Sequence, residues 1–238
     1  MRCARQSGEP LRVVDAMSLL AHMHSRAGEA AQASTLLDEA EALLPSVAKD
    51  LPRRGEIATN IKLDRLSLAV ATGDAGTAVR LAEDLLARFA DEKGPTQLAD
   101  ATLFNRGAAA YNRAMRYSDS LAMQDRAMQA LTSPGDSSNT NVLVYHSVRL
   151  YTLLQAGDPA EAVRYIEARV MPGVRSDLRD LPADLFARTV VAYTRAGDVA
   201  RARALLAARP DSIDAAERPR RQRAEAQFWL CVATAELA

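Results

Sequence analysis

The sequence predicts an all-α protein, a right-handed α-solenoid of helix–turn–helix repeats, and three observations carry this prediction. A short motif of glycine followed by an acidic residue recurs at Gly28, Gly73, Gly157 and Gly197. The spacings between these glycines are 45, 84 and 40 residues, which correspond to a repeat of about 42 residues with one degenerate copy. Apolar residues recur at helical spacing on both sides of each glycine, and no stretch alternates polar and apolar residues over the length of a strand.

Each repeat is predicted to consist of two antiparallel helices joined at the glycine. Glycine suits a helix C-terminus because it adopts positive φ without steric cost, and the acidic residue after it can cap the next helix. An alanine stands five residues after every one of these glycines, where two helices are expected to cross closely: Ala33, Ala78, Ala162 and Ala202. The degenerate copy is expected at Met115, midway through the gap of 84 residues, with a turn that is looser or differs by one residue.

The helices are predicted as five pairs and a single terminal helix. The pairs cover about residues 11–27 and 30–45, 55–72 and 75–91, 97–114 and 117–131, 141–156 and 159–171, and 183–196 and 199–208. The terminal helix covers about 216–238, and its apolar residues suggest possible self-association. Since no connection is long enough to separate two domains, one continuous domain over 1–238 is predicted. Both ends of the sequence fall inside a repeat period. The chain is therefore expected to be either a piece of a longer solenoid or a solenoid closed by an unpaired last helix.

The repeats resemble the tetratricopeptide repeat (TPR) family. The first repeat carries the family's pattern of small and bulky positions, turn glycine and closing proline, namely Leu20, Ala21, Gly28, Ala33, Leu37, Ala40 and Pro45. The second repeat departs at Leu66, where a small residue is expected, and the third lacks the glycine. The repeat also exceeds the family's usual length of about 34 residues, as in the longer-helix variants of bacterial regulators. The resemblance implies a concave groove, lined by the first helix of each pair, in which a partner peptide or helix lies.

Composition and charge restrict the classes of partner. The chain has 238 residues with 30 basic and 30 acidic side chains, so it has no global attraction for nucleic acid or for anionic membranes. The basic run from Arg218 to Arg223 is interpreted as a solvated linker, with nucleic acid as the less favoured alternative. No apolar run reaches about 18 residues and no secretory signal begins the chain, so a cytoplasmic protein is expected. Only three of the 30 basic residues are lysine, which indicates a G+C-rich bacterial gene.

The sequence offers no catalytic constellation. Its glycines stand alone rather than in a phosphate-binding loop. His22 and His24 are two residues apart on a helix and point to different faces, so they cannot share a metal ion. Cys3 and Cys231 lie at opposite ends of the chain, and Cys231, two residues after Trp229, is expected to be a buried thiol. We therefore predict no enzyme, no catalytic residue, no metal site and no cofactor.

The candidate groove residues are polar or aromatic side chains on the first helices of the pairs. They are His22, Arg26, Asn60, Asp64, Asn105, Arg106, Asn112, Arg113, Tyr151, Arg188 and Arg195. Arg106 and Arg113 are seven residues apart on one helix face, which predicts an acidic peptide or a C-terminal carboxylate as ligand. The alternative interpretation of the whole set is an ordinary polar surface.

The predicted function is a protein–protein interaction module that binds a peptide or protein segment in the groove. It is expected to be part of a larger bacterial signalling or regulatory protein. A ligand-sensing regulatory domain of a transcriptional activator or kinase is the alternative, in which a bound peptide or small molecule changes the curvature of the solenoid. An enzyme is the third and least favoured interpretation.

Overall fold

The structure is a computed structural model that describes residues 9–48, 51–91, 97–131, 140–173, 181–208 and 220–237. These residues form helices and turns, and no strand occurs among them, so the fold is all-α as predicted. The chain divides into two compact units, unit 1 from Met1 to Ala127 and unit 2 from Met128 to Ala238, and each is described by itself. Cys3, residues 216–219 and the side chains of 220–223 lie outside the described part, as do the predictions made for them.

The five predicted helix pairs are all present. They are α1 (Pro10–Ala27) with α2 (Ala30–Leu43), α3 (Pro52–Thr72) with α4 (Ala75–Asp91), α5 (Gln97–Arg113) with α6 (Tyr117–Leu131), α7 (Thr140–Gln155) with α8 (Pro159–Tyr165), and α9 (Ala183–Arg195) with α10 (Val199–Ala207). The last helix is α11 (Arg220–Glu236). A short 3-10 helix, Leu44–Ser46, follows α2, and α8 ends earlier than predicted because its chain widens into a π-helical turn at Ile166–Val170.

The four turn glycines end their helices in the left-handed conformation, which confirms the prediction. Their φ angles are 84° at Gly28, 82° at Gly73, 77° at Gly157 and 85° at Gly197. The amide that follows each glycine bonds back to the carbonyl five residues earlier, at 2.9–3.1 Å. These bonds satisfy carbonyl groups at the helix end that would otherwise lack a partner.

The degenerate turn at Met115 keeps the same geometry, so the prediction of a looser turn is wrong. Met115 has φ 57°, and the Arg116 amide donates to the carbonyl of Tyr111 at 2.9 Å, as in the glycine turns. A side chain in this conformation costs about 1–2 kcal/mol. The guanidinium of Arg116 bonds Asp119 at 2.7 Å and lies 4.6 Å from the centre of the Tyr111 ring. These contacts tie the two helices together across the strained residue.

The acidic residue after the glycine caps the following helix at three of the four glycine turns. Asp74, Asp158 and Asp198 each accept a hydrogen bond from the amide three residues later, at 3.0, 2.9 and 3.1 Å respectively. Glu29 makes no such bond, and its carboxylate pairs with the imidazole of His24 at the end of α1. The capping prediction is therefore confirmed for the aspartates and wrong for the glutamate.

The core of unit 1 lies between successive helix pairs. One cluster includes Leu37 and Ile61 from α2 and α3, and a second includes Leu66 and Leu103 from α3 and α5. Leu66, which departs from the family's small residue, is fully buried there. The alanines five residues after the glycines are also fully buried, which confirms the predicted close crossing of helices.

In unit 2 the central element is α9, which is buried over most of its length. It packs against α7, α8, α10 and α11. The face of α11 that carries Trp229 and Leu230 is buried, whereas Phe228 and Cys231 are exposed on the other side of the helix. The prediction of a buried Cys231 thiol is wrong, because the position next to Leu230 turns away from the buried face by about 100°.

Candidate functional site

The candidate site lies in unit 1, where the first helices of three pairs are neighbours. The middle helix, α3, packs against both α1 and α5. His22, Asp64 and Arg106 follow one another at intervals of 42 residues, so one stands on each of these three helices. The repeat length itself therefore brings the three side chains to adjacent helices.

Asp64 is the centre of the site and is nearly buried, with 8 % of the residue exposed. Its Oδ2 accepts a hydrogen bond from the Ser18 hydroxyl at 3.1 Å. Its Oδ1 lies 3.1 Å from Nδ1 of His22. Because a carboxylate only accepts hydrogen bonds, Nδ1 carries the hydrogen of this contact. Asp64 thus joins α3 to two successive turns of α1.

Arg106 supplies the positive charge of the site. Its Nη1 lies 3.7 Å from Oδ1 of Asp64, a separation that gives an ion pair without a hydrogen bond. That nitrogen is buried and has no hydrogen-bond partner, while 25 % of the Arg106 side chain remains exposed. Burial lowers the pKa of Arg106, and the charge of Asp64 opposes this shift. The guanidinium is therefore partly stripped of water with little hydrogen bonding in return.

These side chains surround an open pocket of about 220 Å³. Its lining consists of Asp15, Ser18, Leu19, His22, Asn60, Asp64 and Arg106. The polar groups come from α1, α3 and α5, and Leu19 adds an apolar wall that is 64 % exposed. Leu19 stands nine residues before its turn glycine, the place that Asp64 occupies in the next repeat.

The pocket includes some of the predicted groove residues of unit 1 and leaves out others. His22, Asn60, Asp64 and Arg106 line it, whereas Arg26, Asn105, Asn112 and Arg113 do not. The exposed Arg113 donates from Nε to the carbonyl of Val70 at 3.0 Å, so it bonds to the end of α3. Of the two arginines predicted to bind a ligand together, Arg106 therefore lines the pocket, whereas Arg113 contacts the end of α3.

In unit 2 the predicted groove residue Arg188 is buried and bonds to other residues of the unit. Its assignment to an open groove is therefore wrong. It is 5 % exposed, and its Nη1 donates to the carbonyl and the hydroxyl oxygen of Ser147 at 2.8 and 2.7 Å. Asp184 lies 3.6 Å from the same nitrogen. The guanidinium also lies 5.2 Å from the ring centre of Tyr151, which meets Trp229 edge to face. These rings cover the arginine.

The remaining predicted arginine of unit 2, Arg195, also has a structural partner. Its guanidinium bonds the Glu236 carboxylate at 2.9 and 3.1 Å, which fastens the end of α9 to the end of α11. The observed contact of Arg195 therefore holds two helices together, and the ligand-binding role predicted for it stays a prediction.

Ser18, His22 and Asp64 are residue types used in hydrolases, but Ser18 and His22 do not form a nucleophile–base pair in the unit 1 pocket. The Ser18 hydroxyl bonds Asp64 rather than His22, so the histidine is not placed to take the serine proton. Among the described residues there is no group of three metal-binding side chains. Within the same residues, no helix is long and apolar enough to cross a membrane.

The comparisons with known proteins assign the fold. No protein-family model and no curated protein matches the chain. The all-α arrangement is that of a TPR-like α-solenoid. A crystal structure of a putative kinesin light chain from Podosopora anserina with nearly identical TPR-like repeats matches with TM-score 0.67 and 18 % identity, over 81 % of this chain and 91 % of that chain. A point variant of it gives TM-score 0.69 and 18 % identity, over 84 % and 93 % respectively.

Proposed function

We propose that the chain is a protein-interaction module in which unit 1 binds a segment of a partner protein across α1, α3 and α5. The observation that carries the proposal is the open polar pocket, where Arg106 is only partly satisfied by Asp64. A TPR-like fold supports a protein partner, and the pocket gives that partner a defined place to bind.

The ligand group proposed for this pocket is a carboxylate, from an acidic side chain or a C-terminus. An arginine offers five N–H donors and no acceptor, and the ion pair with Asp64 at 3.7 Å leaves most of these donors of Arg106 for a ligand. A carboxylate can accept two of them side by side, which makes it a strong partner for a half-buried guanidinium. Asn60, exposed on α3 at the same pocket, supplies a further amide donor.

The size of the pocket favours a side chain of a larger partner over a free small molecule. Pockets that enclose small molecules typically measure about 300–1,000 Å³. The pocket here holds about 220 Å³ and is open on one side. The ligand-sensing alternative is therefore less favoured than peptide binding at this site.

The proposal extends to a bacterial signalling or regulatory protein that acts in the cytoplasm. The arginine-rich composition, with three lysines among 30 basic residues, supports the bacterial source alone. A protein of this kind would use unit 1 to recognise one partner segment among many.

A peptide-display selection on the full chain tests the proposed function. Peptides selected on the wild type should bind about tenfold to a hundredfold more weakly to Arg106→Ala, because a partly desolvated charge contact is lost. Arg164→Ala is the matched control, since Arg164 is an exposed arginine on α8 in unit 2 that pairs with its neighbour Glu161. Equal binding to wild type and Arg106→Ala, measured by calorimetry, would place the binding surface elsewhere.

A further inference from the structure

We propose that the unit 1 pocket takes up one proton together with one carboxylate, with His22 as the second cationic contact beside Arg106. In this arrangement Asp64 is a positioning residue, because it holds both cations and is itself almost inaccessible. The inference rests on the proposed function and adds to it a specificity-determining residue and a proton linkage.

The first argument is the geometry of the imidazole. Nδ1 of His22 is 3.1 Å from Asp64, while no partner is recorded for Nε2 within the described residues. The side chain is 36 % exposed and lines the pocket. Since Asp64 holds one ring nitrogen, the other is the one left for a ligand. In the neutral imidazole, Nε2 is an acceptor and would repel a carboxylate. In the protonated imidazole, Nε2 carries a hydrogen and would donate a charge-assisted hydrogen bond to the carboxylate.

The second argument is the balance of charge. Asp64 and Arg106 form an ion pair and cancel one another, and the carboxylate of Asp15 lies 3.5 Å from Arg53. Arg53 does not line the pocket, but with its charge counted against Asp15 the charged groups at the pocket sum to zero while His22 is neutral. Protonation of His22 adds one positive charge, which a single carboxylate balances and which a dianionic phosphate group would exceed. The charge complementarity thus selects one carboxylate of a partner protein.

The third argument is the set of charged groups around His22. From α3 and α5 the facing groups are Asp64 and Arg106, and on its own helix Asp15 and Arg26 lie one or two turns away. From α2, the charged side chains recorded near α3 are Asp38 and Glu41, and both are engaged by Arg65. Of these groups, Asp64 is the one in direct contact with the imidazole, at 3.1 Å.

Linkage fixes the sign of the pH dependence. If the bound state holds one more proton than the free state, the dissociation constant falls as pH falls through the range in which histidine titrates. The dependence is at most about tenfold per pH unit, since one proton is taken up. An Arg106 site without His22 would show no such dependence near neutral pH, because guanidinium stays charged.

The test follows the imidazole protons of the full chain by NMR at constant pH near 7, with acetyl-glutamate amide as the probe. The chain has only three histidines, and His22→Gln and His24→Gln assign two of the signals directly. We expect acetyl-glutamate amide to move the His22 signal toward its protonated position. The uncharged twin, acetyl-glutamine amide, should leave it in place. His24, which is paired with Glu29, should not respond to either probe and serves as the internal control.

Two variants separate positioning from folding. In Asp64→Asn, which keeps the shape of the side chain and removes its charge, the glutamate probe should no longer protonate His22. In Arg106→Ala the same probe should lose most of its effect, because the principal cation is gone. An unchanged His24 signal and unchanged helical circular dichroism in both variants would show that the helices are intact.

Each other outcome has a defined meaning. If pocket amides respond to acetyl-glutamate amide while His22 stays unmoved, carboxylate binds without a proton, and the inference is wrong while the proposed function stands. If inorganic phosphate moves His22 more than the glutamate probe does, the assignment of a single carboxylate is wrong. If no pocket amide responds to the glutamate probe, the carboxylate site is wrong. In that case the display selection decides separately whether unit 1 binds peptides at all.

Discussion

Equivalent positions of the repeat line an open pocket in unit 1 and are buried in unit 2. A serine ten residues before the turn, Ser18 in unit 1 and Ser147 in unit 2, bonds a charged residue nine residues before the next turn, Asp64 or Arg188. In unit 1 the acid is nearly buried and the arginine beyond it, Arg106, still reaches a pocket. In unit 2 the arginine itself is buried, and its bonds stay within the framework.

The difference follows from the side chains that cover each place. Over Arg188 lie the ring of Tyr151 and, against that ring, Trp229 of the last helix. In unit 1 the wall next to Asp64 is Leu19, a smaller side chain that leaves the pocket open. Whether an arginine on the predicted groove face lines an open pocket or is covered therefore depends on the size of the side chains next to it.

The largest expected effect of this contrast is on stability. Arg188→Ala should lower the free energy of unfolding by about 2–3 kcal/mol, because buried polar groups of Ser147 lose their partner. Arg106→Ala, at an open pocket, should cost about 1 kcal/mol or less. Urea unfolding followed by the fluorescence of Trp229, the lone tryptophan, measures the first, and circular dichroism measures both. An equal loss of unfolding free energy in the two variants would mean that the buried Arg188 and the pocket residue Arg106 do not differ in their contribution to stability.

A second, smaller effect is expected at the acid of unit 1. Asp64→Ala should destabilise the chain by about 1–2 kcal/mol, since the Ser18 hydroxyl and the His22 imidazole lose their acceptor and the half-buried Arg106 loses its counter-charge. Asp38→Ala is the matched control, because Asp38 is a largely exposed carboxylate that also pairs with an arginine. The control should cost at most about 1 kcal/mol, as exposed ion pairs do. Chemical unfolding of both variants under the same conditions makes the comparison, and an equal loss would mean that Asp64 is an ordinary surface acid.

The smallest effects are expected at two turns of the same geometry, at Gly197 and at Met115. Gly197→Ala should destabilise the chain by about 1 kcal/mol, because a side chain is disfavoured at its φ of 85° although nothing lies within 4 Å of the added Cβ. Met115→Gly should stabilise it by a similar amount of about 1 kcal/mol, since it relieves the same strain. The thermal midpoints should move in opposite directions by about 2–4 °C. Movement in the same direction would mean that the contacts of Arg116, rather than the turn conformation, decide the stability.

Much of the fold could be predicted from the sequence because its turns are marked by single residues. Each glycine of the repeat has a positive φ, and the spacing between the glycines located the unmarked turn at Met115. The tight, glycine-like geometry of that turn could not be predicted. Arg116 contacts the ring of Tyr111 and the carboxylate of Asp119, and only the folded chain brings these groups together.

The candidate site was predictable in part for the same reason. The interval of 42 residues from His22 to Asp64 and again to Arg106 is a signal that the sequence contains, and it places the three side chains on adjacent helices. The burial of Arg188 was not predictable, since it depends on Tyr151 and Trp229, whose contact joins α7 to the last helix. Helical spacing indicates which face a residue occupies and does not indicate what covers that face.

The side chains around the pocket change in chemical character from one helix to the next. Nine residues before successive turns stand Leu19, then Asp64, then Arg106, so the surface changes from apolar to acidic to basic along the chain. A partner segment laid across these helices would meet a different chemistry if its direction were reversed. Binding of such a segment would therefore depend on the direction in which it crosses the three helices.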